Sequence, residues 1–249
     1  MGLNGLGGLG SSNESQQPQE QTAGLGGLGG LGEGMETPAQ STNLNRPVGE
    51  KVSLKKGQKV SLKKMATDAG LNGGTLSKVK VGLGWDLNKY DGGHDFDLDV
   101  FTFAVKGDGK VRNSGDFIFF NNMRLSNGSI ELMGDNRTGA GAGDDEVVAV
   151  DLNTVPADIE KIIFAIIINE AEMRRQNFGM VGNAFVRLVD TNTNKEFLRY
   201  DLSEDYSIET AVVVGEIYRH KGEWKFTAIG SGFNDGLPAL CACYGVDAE

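Results

Sequence analysis

Two dense groups of acidic residues have the types and spacing to hold a hard cation. The first is Trp85-Asp86 followed by Gly92-Gly93-His94-Asp95-Phe96-Asp97-Leu98-Asp99; the second is Gly134-Asp135-Asn136-Arg137-Thr138-Gly139-Ala140-Gly141-Ala142-Gly143-Asp144-Asp145-Glu146. Phe96, Leu98 and Val100 alternate with Asp95, Asp97 and Asp99, the period of a half-buried β-strand. On such a strand the three carboxylates share one face, neighbours roughly 6–7 Å apart, and repel unless water or a counter-ion separates them. The second group is a glycine-rich loop closed by three acids, and glycine permits the φ angles that turn carbonyl oxygens inward. Carboxylates, carbonyls and water are what Ca²⁺ collects, six to eight oxygens at about 2.3–2.6 Å. The plainer reading of the same residues is a solvated acidic strand face beside a flexible loop.

Other site chemistries fit less well. An EF-hand counted from Asp135 puts Glu146 at position 12, but places Arg137 at position 3 and Ala140 where glycine is needed. The flanking segments also read as strands rather than helices. A phosphate cradle built on Gly139, Gly141 and Gly143 would meet repulsion from Asp144, Asp145 and Glu146 unless a metal bridged them. A metal-dependent phosphoester hydrolase using the same acids, with two cations about 3.5–4 Å apart, is the enzyme alternative. It wants a general base, and His94, the one histidine near the acids, alternates with Asp95 and so faces the other way. His220, beside Lys221-Gly222, reads as solvated. A third reading is a scaffold whose calcium is purely structural.

Composition sets the frame. The 249 residues carry a formal charge of −10, with hydrophobic residues at 39% and charged residues at 23%. That balance supports a sizeable core and opposes nonspecific binding to nucleic acid or anionic membrane. There is no apolar run long enough for a membrane helix, and the first residues lack the basic and apolar regions of a secretory signal. Cys241 and Cys243 are the only cysteines; they suit small buried apolar positions in a reducing, cytoplasmic setting and offer no soft site beside the acids.

The elements that must position the acids follow from pattern. Residues 1–50 read as a disordered low-complexity tail, in which Gly5-Leu6-Gly7-Gly8-Leu9-Gly10 recurs as Gly24-Leu25-Gly26-Gly27-Leu28-Gly29. Both copies match a dinucleotide-binding fingerprint, yet neither joins a strand to a helix, so that reading fails. Lys51-Val52-Ser53-Leu54-Lys55-Lys56 repeats as Lys59-Val60-Ser61-Leu62-Lys63-Lys64, predicting two short strands, or a strand and an extended arm, guarded by edge lysines. Strands are predicted over 78–83, 95–105, 116–122, 129–133, 147–152, 162–168, 183–190, 196–202, 210–219 and 224–229. Hairpin turns fall at Gly107-Asp108-Gly109 and Asn127-Gly128. Thr154 and Pro156 predict a short helix through Lys161, and 237–244 a terminal one. So many strands and so few helices argue an all-β sandwich of two mainly antiparallel sheets.

On Lys78-Val79-Lys80-Val81-Gly82-Leu83-Gly84-Trp85-Asp86, Asp95-Phe96-Asp97-Leu98-Asp99 and the 134–146 run, the chain resembles the TerD family of tellurite-resistance and stress proteins. Val52-Ser53-Leu54 and Val60-Ser61-Leu62, Gln176-Asn177-Phe178-Gly179, Arg199-Tyr200-Asp201-Leu202, Glu209-Thr210-Ala211, Glu216-Ile217-Tyr218-Arg219 and Gly222-Glu223-Trp224-Lys225-Phe226 extend the resemblance over 51–249. It implies a β-sandwich domain that binds two Ca²⁺ ions through these motifs in cytoplasmic stress-response systems, with no established catalysis. The implied ligands are Asp86, Asp95, Asp97, Asp99, Asp135, Asn136, Asp144, Asp145 and Glu146, with carbonyls from Gly139, Gly141 and Gly143. Asn121 and Glu170 are weaker candidates, read as turn-capping and surface positions. The implied partners are Ca²⁺ and other stress-response proteins, with peripheral attachment to a membrane complex allowed and no nucleic acid. The Gly/Leu tail and Asn169, before Glu170-Ala171, depart from the family pattern.

Overall fold

The computed structural model describes residues 51–71, 74, 76–86, 96–133, 144–202 and 206–247. The expectation of a tail over 1–50 therefore falls outside the described residues. Along the chain run β1 (Val52–Leu54), β2 (Lys59–Ser61), α1 (Leu62–Asp68), β3 (Lys78–Asp86), β4 (Leu98–Val105), β5 (Phe117–Ile118), β6 (Ile130–Leu132) and β7 (Glu146–Asp151). They are followed by β8 (Lys161–Ile168), α2 (Ala171–Arg174), β9 (Gly182–Asp190), β10 (Lys195–Asp201), β11 (Ala211–His220), β12 (Glu223–Phe233) and α3 (Gly236–Tyr244). Two six-stranded sheets form, with strand orders β1-β10-β9-β3-β7-β6 and β2-β12-β11-β8-β4-β5. Every pairing is antiparallel except β1 with β10. The protein is a β-sandwich, as the spacing of the strands predicts.

Alternation sorts each strand's residues between faces. Val79, Val81 and Leu83 of β3, Val186 and Leu188 of β9, and Leu98 and Val100 of β4 meet in the core between the sheets. Strand β8 is apolar on both faces because both are covered. Ile162, Phe164 and Ile166 enter the main core, whereas Ile163, Ala165 and Ile167 lie in a second apolar cluster under α3. There Phe103 packs on Phe117 with ring centroids 4.7 Å apart and on Tyr244 at 4.6 Å. Helix α3 seats Leu240 and Cys241 on that cluster, and burial pushes the Cys241 thiol up to about 11. A thiol so placed stays protonated and inert.

Three predicted elements differ, each for a local reason. The second lysine repeat leaves the strand at Leu62 and becomes α1, with the Ser61 hydroxyl accepting from the Lys64 N–H at 3.2 Å as its N-cap. The first copy ends instead in a turn at Gly57, φ 79°, whereas the second runs on into Met65 and Ala66, which with Leu62 form the helix's buried face. No helix follows Pro156. Arg219, stacked on Trp224, draws the carbonyls of Val155, Pro156 and Ile159 onto its guanidinium, and the segment makes a single turn, Ile159 N–H to the Pro156 carbonyl at 3.1 Å, in place of a helix. The strand predicted over 116–122 stops at Ile118, because the Asn122 side-chain amide donates to the Phe117 carbonyl at 2.6 Å and the backbone of Asn122 bridges to Phe119, folding the segment back.

Candidate metal centre

The backbone ladder of the first sheet brings the start of the first acidic group, at the end of β3, beside the end of the second, at the start of β7. Strand β3 leads into the first acidic loop and β7 leads out of the second, and the two strands are antiparallel neighbours with Leu83 opposite Glu146. The second loop closes the hairpin between β6 and β7, where Leu132 pairs with Val148. Strands on both sides of the loop, in place of helices, match the exclusion of an EF-hand.

The three consecutive acids that close the second loop point to three places. Glu146 shares a face with Leu83 and is turned into the sandwich, 2% exposed. The Asp145 carboxylate accepts from the Trp85 N–H at 2.9 Å, and its own N–H donates to the Leu83 carbonyl at 2.8 Å. Asp144 lies across Gly82 on the outer face of the first sheet and is gripped there by Arg187. Nε donates to Oδ1 at 2.6 Å and Nη2 to Oδ2 at 3.1 Å. Arg187 Nη1 also donates to Glu196 at 2.9 Å, and Lys51 pairs with the other Glu196 oxygen at 3.3 Å. Hydrogen bonds donated to Asp144 foremost, then to Glu196, hold the guanidinium above its usual range against the opposing effect of burial. Burial pushes Glu196 up, but Arg187 and Lys51 outweigh it and leave the carboxyl below the ordinary glutamate range.

The described part of the first group is held differently. Asp97 and Asp99 alternate with the core residues Phe96, Leu98 and Val100, so both fall on the outer face of the second sheet. Asp97 is 8% exposed; its carboxylate accepts from the Asn169 amide at 3.1 Å, and its carbonyl from the Asn169 N–H at 2.8 Å. At the end of β3, Asp86 accepts from the Asn183 amide at 2.6 Å. Asn169 follows β8 and Asn183 lies near the start of β9, so the crossover through α2 has one acid-holding amide at each end. Asn183 sits at φ 51°, in the left-handed region that Asn tolerates. Of the weaker candidates, Asn121 is exposed in a turn, and Glu170 pairs with Arg174 at 2.6 Å.

Asp95, Asp135, Asn136, Gly139, Gly141 and Gly143 lie outside the described residues, as does His94. Among the described residues, no three His, Cys, Asp or Glu side chains gather into a group that could hold a metal ion. What those residues offer is a set of oriented carboxylates on the flanks of both loops. Asn169, Asn183 and Arg187, which orient them, were not picked out as site residues. Only the departure at Asn169 gave any signal in sequence.

A two-sheet sandwich with acid-flanked loops at one end of a sheet defines the class of the protein. The TerD domain model matches residues 51–244, and the chain belongs to that family. It is 58% identical over 195 residues to General stress protein 16U of Bacillus subtilis (strain 168), covering 78% of this chain and 97% of that protein. It is 51% identical over 198 residues to Tellurium resistance protein TerD of Serratia marcescens, covering 80% of this chain and 99% of that protein. A solved homologue of telluride resistance protein (TerD) from Streptomyces coelicolor A3(2) superposes with a TM-score of 0.55 at 26% identity, over 70% of this chain and all 100% of that one. These names describe resistance and stress, not a catalysed reaction. No helix among the described residues is long and apolar enough to cross a membrane.

Proposed function

We propose that the chain is a calcium-binding, non-enzymatic stress-response module of the cytoplasm, taking up two Ca²⁺ ions through its two acidic motifs and acting with other stress-response proteins. The observation that carries this reading is the Asp97 carboxylate, 8% exposed and aimed by the Asn169 amide. A carboxylate is costly to bury and orient, and a cation offsets that cost.

The donor chemistry fits Ca²⁺, which takes oxygen ligands in flexible geometry. Among the described residues Asp86, Asp97, Asp99 and Asp145 would hold it. By sequence, Asp95, Asp135 and Asn136 and the carbonyls of Gly139, Gly141 and Gly143 would add oxygens from the loops. Glu146 sits one residue further into the sandwich. Bound calcium supplies positive charge where like charges crowd; the chain's own Asn169, Asn183 and Trp85 N–H groups keep three of the carboxylates oriented for it.

Calorimetric titration of chelator-treated protein with Ca²⁺ and with Mg²⁺ tests the reading. Calcium is expected to bind more tightly, because Mg²⁺ demands near-ideal octahedral geometry and sheds water reluctantly, and Asp97→Asn is expected to weaken it several-fold. Equal affinity for the two ions contradicts the proposal. Phosphoester turnover that requires metal and disappears in Asp97→Asn would move the chain to the hydrolases.

A further inference from the structure

We infer that Arg187 is a resident cation for the second acidic loop, taking Asp144 out of the calcium ligand set and fixing the exit of the loop to the sheet. The inference rests on the calcium reading for what it says of ligands, but not for what it says of the anchor. Three observations carry it.

The first is geometry. Both Asp144 oxygens are engaged by one guanidinium at 2.6 and 3.1 Å, with the Asp144 side chain 12% exposed. Paired, planar contacts of this kind are the strong form of a charge-assisted hydrogen bond. The second is charge. Lys51, Glu196, Arg187 and Asp144 form a chain of two cations and two anions that is balanced without any metal. A divalent ion that recruited Asp144 would have to displace the guanidinium from it. The third is placement. Asp144 lies on the outer face of the first sheet, Asp97 and Asp99 on the outer face of the second. Packed sheets are about 10 Å apart and Ca²⁺ bonds are about 2.3–2.6 Å long, so an ion held by Asp97 and Asp99 cannot also take Asp144, and a second ion would have to draw it from Arg187.

Gly82 shows that the arrangement is built. A Cβ at position 82 would fall within the Asp144 carboxylate, so only glycine lets the aspartate lie flat across β3 to reach Arg187. Through Glu196 and Lys51 the same network ties the loop exit to the residue preceding β1.

The test compares Asp144→Asn, Arg187→Gln and Arg187→Lys with the unaltered chain, by thermal melting in excess chelator and by calcium titration. In chelator, Asp144→Asn and Arg187→Gln are expected to melt several degrees lower, with Arg187→Lys between them and the unaltered chain because it keeps charge but loses the paired geometry. In the titration, Asp144→Asn is expected to keep the calcium stoichiometry and an affinity within about twofold, well inside the tenfold that 1.4 kcal/mol would produce. Loss of a calcium equivalent in Asp144→Asn, or a fall in affinity of about tenfold or more, makes Asp144 a ligand and overturns the inference. Unchanged melting of both variants in chelator overturns the anchor. A parent chain that takes up no calcium sinks the binding reading alone, and the chelator melts still decide the role of Arg187.

Discussion

Asp97 and Asp144 are the same side chain in the same kind of motif, yet the fold treats them differently. Asp97 lies on the outer face of the second sheet and accepts from a neutral amide, Asn169. Asp144 lies on the outer face of the first sheet and accepts from a guanidinium, Arg187. The Asn169 amide orients its carboxylate with a neutral donor; the Arg187 guanidinium orients its own and brings a positive charge to it. The lesson is that a run of acids defines a cation site only through the donors that hold each one. Strand β4 makes a related contrast along its own length, since its outer face passes from Asp99 to Phe101 and Phe103, which are buried in the cluster under α3.

The largest change expected at either aspartate comes from Arg187→Leu, which leaves Asp144 and Glu196 without their shared cation. Breaking a fully buried pair costs about 3–5 kcal/mol. With Arg187 about one quarter exposed, roughly 2 kcal/mol is expected, read as a lower denaturant midpoint at unchanged slope. Gly82→Ala should come next, costing about 1–3 kcal/mol as an overpacked site, because the new methyl must push the Asp144 carboxylate off β3. If this change also left calcium affinity intact, the separation of the two aspartates would be sharpened.

Asn169→Ala is the matching change on the other side. Loss of a hydrogen bond to a charged group costs about 1.5–3 kcal/mol, less here because the backbone bond from the Asn169 N–H remains. Calcium affinity should fall with it, and unchanged affinity would break the comparison by making Asn169 a purely structural neighbour. The smallest effect expected is that of pH. The Glu196 carboxyl is held below the ordinary range, so its contribution is present above the unfolded value of about 4.3 and is lost as pH falls through the lower folded value. Glu196→Gln should therefore flatten the acid limb of a melting-temperature profile measured with chelator, at some cost in stability near neutral pH.

Much of the fold is legible in the sequence because strand alternation is a local signal. Residues 162–168 read as a strand and form β8, and Asn127-Gly128, with Gly128 at positive φ, makes a turn as predicted. The misread segments were decided by partners distant in the chain or by a side chain competing for backbone groups. Arg219 takes the carbonyl of Val155 from 64 residues away, and Asn122 folds the Phe117 strand back on itself. The acids themselves were visible as a composition and spacing pattern. Their holders were not, since Asn169 is 72 residues from Asp97, Asn183 is 97 from Asp86 and Arg187 is 43 from Asp144. Arg187 in particular reads in sequence as an ordinary outward residue of an alternating strand, between Val186 and Leu188. Only the sheet order, which sets β9 beside β3 and β3 beside β7, brings it to the acid loop.

The central claim is that ion uptake and folding are coupled at the acidic loops, and the melting temperature of the full chain in excess EDTA against millimolar Ca²⁺ measures that coupling directly. One site at a hundredfold excess over Kd adds about 2.7 kcal/mol, which for a domain of this size is a rise of roughly 5–10 °C. A calcium-dependent rise of that order is the predicted result; superimposable melting curves in the two solutions would contradict the account.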